Sequence, residues 1–337
     1  MINAEIFGQF FGLEIIIYPM SKAEVIKNFF PDWKYEILKA KDIGYLPSDC
    51  VCHISCVNCA PNRIAYGSDN LSSIYFSEIS DPNSHIVKVE TEDKLLGIEW
   101  LPVEPYHILA TFEKNLVIID TKEDKIIHQA AATDPTVYFI DAHWTKNGNI
   151  ISLSQKNAMT FYDNELNNHH QLNSLESGKS FCFSIDNDQL YVGQHRDVLI
   201  FDISTEGEMK KLNSFVAHPH DIVKIQILNN HLITVTDKSA VIWDKRDLVP
   251  LFSIVSEGSA FYADPTCTFA IDSNKQIFKL AKGPKSEIKR TMDLNTKDPI
   301  KAAAWQYCEN EDEKILHIGS HNSNEFCLAL VIRFTRK

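Results

Sequence analysis

A unit of about forty residues recurs along the chain and constrains its fold more than any other feature. Four segments end in a short apolar run followed by an aspartate, at Asp120, Asp163, Asp202 and Asp244, so the spacings are 43, 39 and 42 residues. Two further apolar runs precede each of these segments, and a weaker run follows it. Runs rich in Val, Ile, Phe and Tyr between closely spaced turns indicate β-strands. Four strands per unit are typical of a β-propeller blade.

The same pattern extends beyond the four clear copies. An earlier blade is predicted from the runs VCHISCV, RIAYGS, SSIYFSEI and HIVKVE, and a later one from SAFYAD, CTFAID, QIFKLA and IKRTMD. The C-terminal runs IKAAAWQY, KILHIGS and EFCLALVIRF supply three strands of a last blade. Together with the four clear copies, these three units give seven blades.

The polar run with His169 and His170, NELNNHHQLNS, is interpreted as a solvated loop between blades.

An N-terminal strand can complete the last blade. The apolar runs LEIIIYP and KYEIL are both spare, and either would close the ring and remove an exposed sheet edge. We therefore predict an all-β, seven-bladed propeller over residues 46–337. Residues 1–45 are predicted to form an extension with a short helix and the ring-closing strand.

Residues 217–247, AHPHDIVKIQILNNHLITVTDKSAVIWDKRD, resemble a WD repeat. In such repeats a histidine, a serine or threonine, an aspartate and a tryptophan form a hydrogen-bonded tetrad. The resemblance assigns these four roles to His218 (or His220), Thr236 (or Thr234), Asp237 and Trp243. Buried groups of these kinds must satisfy one another's hydrogen bonds. The resemblance covers about residues 50–335 in pattern but one repeat in motif, and it implies a WD-repeat-like propeller.

Four of the eight cysteines, Cys50, Cys52, Cys56 and Cys59, lie within ten positions that also include His53. If this stretch is a strand, Cys50 and Cys52 are neighbours on one face, about 7 Å apart. Thiolates bound to one zinc ion lie within about 4 Å of one another, so a regular strand cannot offer both to the same ion. A zinc knuckle is the alternative, and it would remove a strand from the blade. We interpret the cysteines as small packing residues and expect no metal or other cofactor.

The formal net charge of −12 limits the classes of partner. An acidic protein repels phosphate backbones, so direct nucleic-acid binding is not expected, and partner proteins with basic surfaces are favoured. The N-terminus lacks the basic start of a secretory signal, and no run approaches the roughly 20 apolar residues of a membrane helix. We expect an intracellular protein of the cytoplasm, the nucleus or both, with reduced cysteines and no membrane association.

The chain contains no GxGxxG, GxxxxGK[ST] or GxSxG motif. We therefore expect no catalytic residues and no small-molecule substrate. The main hypothesis is a non-enzymatic scaffold subunit that mediates protein–protein interactions within a multiprotein complex. A metal-binding or enzymatic propeller is an alternative, because propeller enzymes assemble their sites from separate loops.

Two segments are candidate partner-binding elements. Trp243, Asp244 and Arg246 match the WDxR pattern of propeller receptors in cullin ubiquitin ligases. That resemblance implies a substrate receptor whose Arg246 contacts the adaptor subunit, although a basic residue after Trp-Asp also occurs by chance. The segment SKAEVIKNFFP predicts a helix that begins near a serine cap and ends at a proline. This helix either covers a propeller edge or docks onto another subunit, with Phe29, Phe30 and Trp33 as the candidate contacts.

Overall fold

The computed structural model describes a chain of β-strands joined by turns. The described residues are 32–45, 52–56, 63–68, 73–78, 85–102, 104–132, 134, 136–167, 169–172, 175, 180–203, 208–255, 260–274, 276–281, 287–293, 300–306, 308–321 and 326–336. The predicted N-terminal helix, with Phe29 and Phe30, lies outside these residues. Within the described ranges, no helix is long and apolar enough to cross a lipid bilayer.

Twenty-eight strands are described. In chain order they are β1 (Trp33–Tyr45), β2 (Cys52–Cys56), β3 (Arg63–Ser68), β4 (Ser73–Glu78), β5 (His85–Lys88), β6 (Leu95–Trp100), β7 (His107–Phe112), β8 (Asn115–Asp120), β9 (Lys125–Ala131), β10 (Phe139–Trp144), β11 (Ile150–Ser154), β12 (Met159–Tyr162), β13 (His169–Gln171), β14 (Ser180–Asp186), β15 (Gln189–Gln194), β16 (Asp197–Ile203), β17 (Met209–Val216), β18 (Lys224–Leu228), β19 (His231–Val235), β20 (Ser239–Asp244), β21 (Pro250–Val255), β22 (Phe261–Ala263), β23 (Phe269–Asp272), β24 (Gln276–Ala281), β25 (Glu287–Asp293), β26 (Ile300–Gln306), β27 (Glu313–His321) and β28 (Phe326–Arg336).

These strands form seven antiparallel four-stranded sheets, which we number as blades along the chain. Blades 1 to 6 take four consecutive strands each, from β2–β5 to β22–β25, and blade 7 has the order β26, β27, β28, β1. The first strands of neighbouring blades contact one another, through backbone proximity at most interfaces and through the Lys224 side chain between β18 and β22, and β2 of blade 1 packs against β26 of blade 7. The predicted seven-bladed, all-β propeller is confirmed.

Apolar side chains of blades 2 to 6 face both neighbouring blades. In β8, Leu116 and Ile118 join a cluster shared with blade 3, whereas Val117 and Ile119 join one shared with blade 1. Alternate side chains of a strand point to opposite faces of its sheet, so a sheet between two others must be apolar on both. This explains why the sequence shows continuous apolar runs rather than alternation.

An N-terminal strand closes the ring. β1 pairs antiparallel with β28, from Trp33 opposite Arg336 to Tyr45 opposite Phe326, and forms the outer strand of blade 7. The Trp33 side chain is 6% exposed and meets the Phe269 ring edge-on, with ring centres 5.1 Å apart. A side chain packed between blades 6 and 7 is not available to a partner. The prediction of Trp33 as a partner contact is therefore corrected to a core residue.

Tryptophans on first strands tie neighbouring blades together. Each donates its indole N–H to a carbonyl oxygen on the first strand of the preceding blade. The three pairs are Trp100 Nε1 to Ser55 O at 3.1 Å, Trp144 Nε1 to Glu99 O at 3.3 Å and Trp305 Nε1 to Tyr262 O at 3.2 Å. A buried indole N–H needs an acceptor, and the exposed edge of an inner strand provides one.

The strand order gives the propeller two distinct faces. In an antiparallel four-stranded blade, the connections between strands one and two and between strands three and four emerge on the same side. We call this side the aspartate face, because the turns after Asp120, Asp163 and Asp244 lie there. The connections between strands two and three, and those between blades, lie on the opposite face.

Candidate protein-interaction site

The repeated aspartates hold the turns of the aspartate face. In three blades a carboxylate oxygen accepts hydrogen bonds from backbone N–H groups two to four positions later, which is the geometry of an Asx turn. The donors are Lys122 N at 2.8 Å for Asp120, Glu165 N at 3.1 Å for Asp163 and Arg246 N at 2.8 Å for Asp244. The bonds from Arg246 and Asp247 hold the pKa of Asp244 below its usual value. Asp202 differs, because it lies within β16, which continues to Ile203.

Arg246 is exposed on the turn that Asp244 holds. Lys122 of blade 2 and Glu165 of blade 3 occupy the same position, two residues after the aspartate. The arginine therefore lies on a turn whose backbone is hydrogen-bonded to the aspartate of its own repeat. Its role as a partner contact stays a prediction.

Two of the predicted tetrad residues, His218 and Trp243, contact a buried hydroxyl group in blade 5, that of Thr234. His218 Nε2 is 2.7 Å from Thr234 Oγ1, and Trp243 Nε1 donates to the same oxygen at 2.9 Å. Ser239 Oγ lies 3.3 Å from His218 Nδ1, in the place expected for the aspartate, whereas Asp237 is exposed on the turn. Burial lowers the pKa of His218 and the charge of His220 acts in the same direction, against the opposing effect of the hydrogen bond to the Thr234 backbone.

Thr236, the other threonine considered for the tetrad, stabilises the turn between β19 and β20. Its hydroxyl accepts hydrogen bonds from Lys238 N at 3.2 Å and Ser239 N at 3.0 Å. The structure therefore brings His218 and Trp243 together through Thr234, while Thr236 holds the turn that carries Ser239.

The cysteine stretch forms the strand that the sequence predicts. Cys52 to Cys56 is β2, paired without interruption to β3 from Cys52 opposite Ser68 to Cys56 opposite Ile64. Cys50 and Cys59 lie outside the described residues. Burial raises the pKa of the Cys56 thiol, and the nearby Cys308 raises it further, so this group is a neutral packing side chain.

The first strands of blades 2 and 3 bring three titratable side chains together. His143 Nδ1 is 3.1 Å from Glu99 Oε2, and His143 Nε2 is 3.2 Å from Asp141 Oδ2. Burial lowers the pKa of His143, but the charges of Asp141 and Glu99 outweigh it and raise the pKa well above its usual value. A protonated imidazole donates from both nitrogens, so His143 links the carboxylates of two neighbouring blades.

A half-buried lysine lies on the first strand of blade 5. Lys224 Nζ is 3.6 Å from the centre of the Tyr262 ring and 3.4 Å from the carbonyl oxygen of Phe261, both in blade 6. Burial lowers the pKa of Lys224 to about 8, while the charge of Asp141 acts in the opposite direction. The first strands of the blades, which we call the inner ring, therefore carry charged contacts between blades through His143 and Lys224. These contacts were not predicted from the sequence. Aligning LLGIEW with YFIDAHW would have placed Glu99 and His143 at equivalent positions, one residue before a tryptophan.

Large apolar side chains are exposed on the outer strands of blades 4 and 5. We call this region the rim sector, and it comprises Leu212 (48% exposed), Val216 (71%), Val249 (52%) and Val255 (86%). All four belong to β17 and β21 or directly precede β21. Ile86 on the outer strand of blade 1 is exposed as well, at 51%.

Comparison with known proteins supports the architecture. No protein-family model and no curated protein matches the chain. A chain in the crystal structure of the mitotic checkpoint complex superimposes with a TM-score of 0.66 at 14% identity, over 89% of this chain and 94% of its own length. The β-propeller domain of Cps50 (Swd1) from Myceliophteria thermophila superimposes with a TM-score of 0.70 at 10% identity, over 88% and 99%. Both are WD40 β-propellers.

The chain has the fold of a WD-repeat propeller. The WD-repeat resemblance stated for residues 217–247 is therefore confirmed as a statement about fold. At 14% and 10% identity, the similarity establishes only the fold of this chain and not its function.

Proposed function

We propose that this propeller is a non-enzymatic scaffold subunit that binds other proteins within a multiprotein complex. The observation that carries the proposal is the rim sector, where Val216 and Val255 are 71% and 86% exposed on adjacent blades. An apolar side chain left in water contributes free energy when a partner covers it. The occurrence of a similar propeller in the mitotic checkpoint complex supports the same role.

The net charge of −12 supports partners with basic surfaces. Opposite charge raises association rates more than final affinity, so complex formation should slow as the salt concentration increases. We propose that the protein lies inside the cell, in the cytoplasm, the nucleus or both, where cysteine thiols stay reduced. Imaging of a fluorescent fusion tests this location, and a secreted fusion would refute it.

Affinity purification tests the scaffold role directly. The full-length chain, purified under gentle lysis, should recover partner proteins at near-equal ratio, identified by mass spectrometry. The double variant Val216→Asp, Val255→Asp should lose at least one of them, because a carboxylate at a buried interface carries a large desolvation cost. Ile86→Asp, at an apolar position of blade 1 that is 51% exposed, should retain it. A lone monomer in every preparation would refute the proposal.

A second candidate function is substrate receptor of a cullin ubiquitin ligase. The specific observation in its favour is the exposed Arg246, held on a turn by Asp244. An arginine guanidinium at an interface makes paired hydrogen bonds with a carboxylate. We infer that, in this function, Arg246 would contact the adaptor subunit of the ligase.

The chain contains a matched control for this test. Lys122 occupies the position of Arg246 in blade 2, two residues after Asp120. Arg246→Ala should abolish co-purification of the adaptor subunit, and Lys122→Ala should leave it unchanged. Equal recovery of the adaptor with both variants, or recovery with neither the variants nor the wild type, would exclude the receptor function.

A further inference from the structure

A cavity lies between blades 6 and 7 on the aspartate face. Its volume is about 320 Å³, at the lower end of the range of ligand pockets in proteins. The turn between β22 and β23 and the turn between β26 and β27 form its sides, and the first residues of β1 and the last of β28 complete it. It is distinct from the rim sector and from the inner ring.

A lysine forms the floor of the cavity. The Lys314 side chain is 11% exposed, and its Nζ lies 4.0 Å from Oδ1 of the fully buried Asp264. The carboxylate of Asp264 already accepts four hydrogen bonds, from the N–H and hydroxyl of Thr266 and from the N–H groups of Thr268 and Phe269. Its lone pairs are therefore filled, and its attraction for Lys314 is one of charge without a hydrogen bond. Lys314 is one of the residues that line the cavity.

The two lysines of the cavity are less exposed than its acidic side chains at the entrance. Besides Lys314, the deep part contains Lys279, whose side chain is 17% exposed and whose Nζ lies 4.0 Å from Oδ2 of Asp32 at the entrance. The entrance is more acidic, with Asp32 67% exposed, Asp312 57% exposed and paired to Arg336 at 3.3 Å, and Glu311 exposed beside it. A ligand that fits this pattern is anionic at its tip and cationic around it.

We propose that this cavity binds an acidic side chain of a partner protein in a segment where basic residues flank the acid. The anionic group would accept hydrogen bonds from Lys314 at the floor, and the flanking cations would meet Asp32, Glu311 and Asp312 at the entrance. A nucleic-acid backbone fits less well, because its successive phosphates would face those same carboxylates. This inference rests on the proposed scaffold function, since its ligand is a partner segment.

Fluorescence polarisation with short labelled peptides tests the proposal on the full-length protein. The first peptide carries glutamate between two lysines, the second replaces glutamate by glutamine, the third replaces it by phosphoserine, and the fourth places glutamate between two glycines. The glutamate–lysine peptide should bind saturably, and the glutamine peptide should bind about tenfold more weakly. Tighter binding of the phosphoserine peptide would assign the site to phosphorylated partners, and weaker binding would assign it to carboxylates.

Variants then locate the site. Lys314→Met, which keeps the aliphatic stem, should weaken binding of the glutamate–lysine peptide about tenfold. Lys210→Met, at an exposed lysine of β17, is the matched control and should change nothing. Glu311→Lys, at an exposed position where a substitution should not affect folding, should weaken binding of the lysine-flanked peptide but not of the glycine-flanked peptide.

The failure of this proposal differs from failure of the scaffold role. No saturable binding of the glutamate–lysine peptide up to millimolar concentration would overturn the inference, and so would equal affinity for the glutamine peptide. An unchanged affinity in both Lys314→Met and Glu311→Lys would overturn it as well. In each case partners lost with the rim variants would still support the scaffold.

Discussion

One hydroxyl group, that of Thr234, serves two buried partners in blade 5. It is fully buried and lies within hydrogen-bonding distance of both His218 Nε2 and Trp243 Nε1. Thr234→Val keeps the shape and removes the oxygen, leaving the indole N–H without its acceptor. We expect the free energy of unfolding to fall by about 1–3 kcal/mol, measured by urea denaturation.

The control for this prediction is Asp237→Asn. Asp237 is exposed on the turn, so the substitution should change the stability by less than about 0.5 kcal/mol. If Asp237→Asn cost as much as Thr234→Val, the aspartate and not Ser239 would complete the tetrad.

The tetrad also shows what a sequence can and cannot specify at this scale. The repeat pattern predicts His218 and Trp243 as partners, because both stand at fixed places relative to the strands. It could not separate Thr234 from Thr236, since residues two apart share a strand face. The difference arises because β19 ends at Val235, so that Thr236 already belongs to the turn.

His143 should make the stability of the propeller depend on pH. Its pKa is raised in the folded state by Asp141 and Glu99, against the opposing effect of burial. A raised pKa means that the folded state binds the proton more tightly than the unfolded state, so the stabilisation is complete below the unfolded value near 6.5. It is lost as the pH rises through the folded value. His143→Gln should therefore cost about 2 kcal/mol at pH 6 and progressively less in alkaline buffer.

Urea denaturation of the wild type and His143→Gln across this pH range measures the difference. His218, whose pKa is lowered, contributes a slope of the opposite sign, but it is present in both proteins and cancels. A difference in stability that does not change with pH would show that His143 is neutral in the fold.

At the scale of elements, Trp33 anchors β1 in the core. Trp33 packs against Phe269 of blade 6 and belongs to the cluster that contains Trp305 and Phe334 of blade 7. Trp33→Ala should reduce the free energy of unfolding by about 3–5 kcal/mol, because removal of the indole ring leaves an empty space between two blades. Hydrogen exchange should also become faster in β28, whose amides pair with β1.

The neighbouring residue provides the comparison. Lys34 is exposed on the same strand, so Lys34→Ala should leave both the stability and the exchange of β28 nearly unchanged. Faster exchange in Lys34→Ala, or none in Trp33→Ala, would contradict a role of Trp33 as the anchor of β1.

The strands that bury apolar side chains on both faces were predictable, and so was an outer strand such as β5, but the polar outer strand β13 was not. The runs RIAYGS and NLVIID are strands in the structure, as predicted. The loop interpretation of His169 and His170 is wrong, because β13 spans His169–Gln171 and pairs with β12. An outer strand needs only main-chain pairing and one covered face, so its sequence can be polar. The Glu99–His143 contact joins residues 44 positions apart, which no local pattern reveals.

At the scale of the whole molecule, the ring is closed by hydrogen bonds between the two ends of the described chain. Trp33 lies opposite Arg336 in the register of β1 and β28, so the two strands end where a hairpin turn would join them. Blade 7 therefore differs from the other six only in the order in which the chain supplies its strands. Position in the ring, rather than covalent order, should determine whether β1 stabilises the fold.

A permuted chain tests this directly. Residues 46–337 followed by a linker of about three residues and then residues 32–45 should fold with a urea midpoint close to that of residues 32–337, because the linker replaces an absent turn. Residues 46–337 alone should be less stable and should associate through the uncovered edge of β28, measured by size-exclusion chromatography with light scattering. All three chains omit residues 1–31, so the comparison isolates β1. If the permuted chain associated as the truncated one does, the pairing of β1 with β28 would not be what closes the ring.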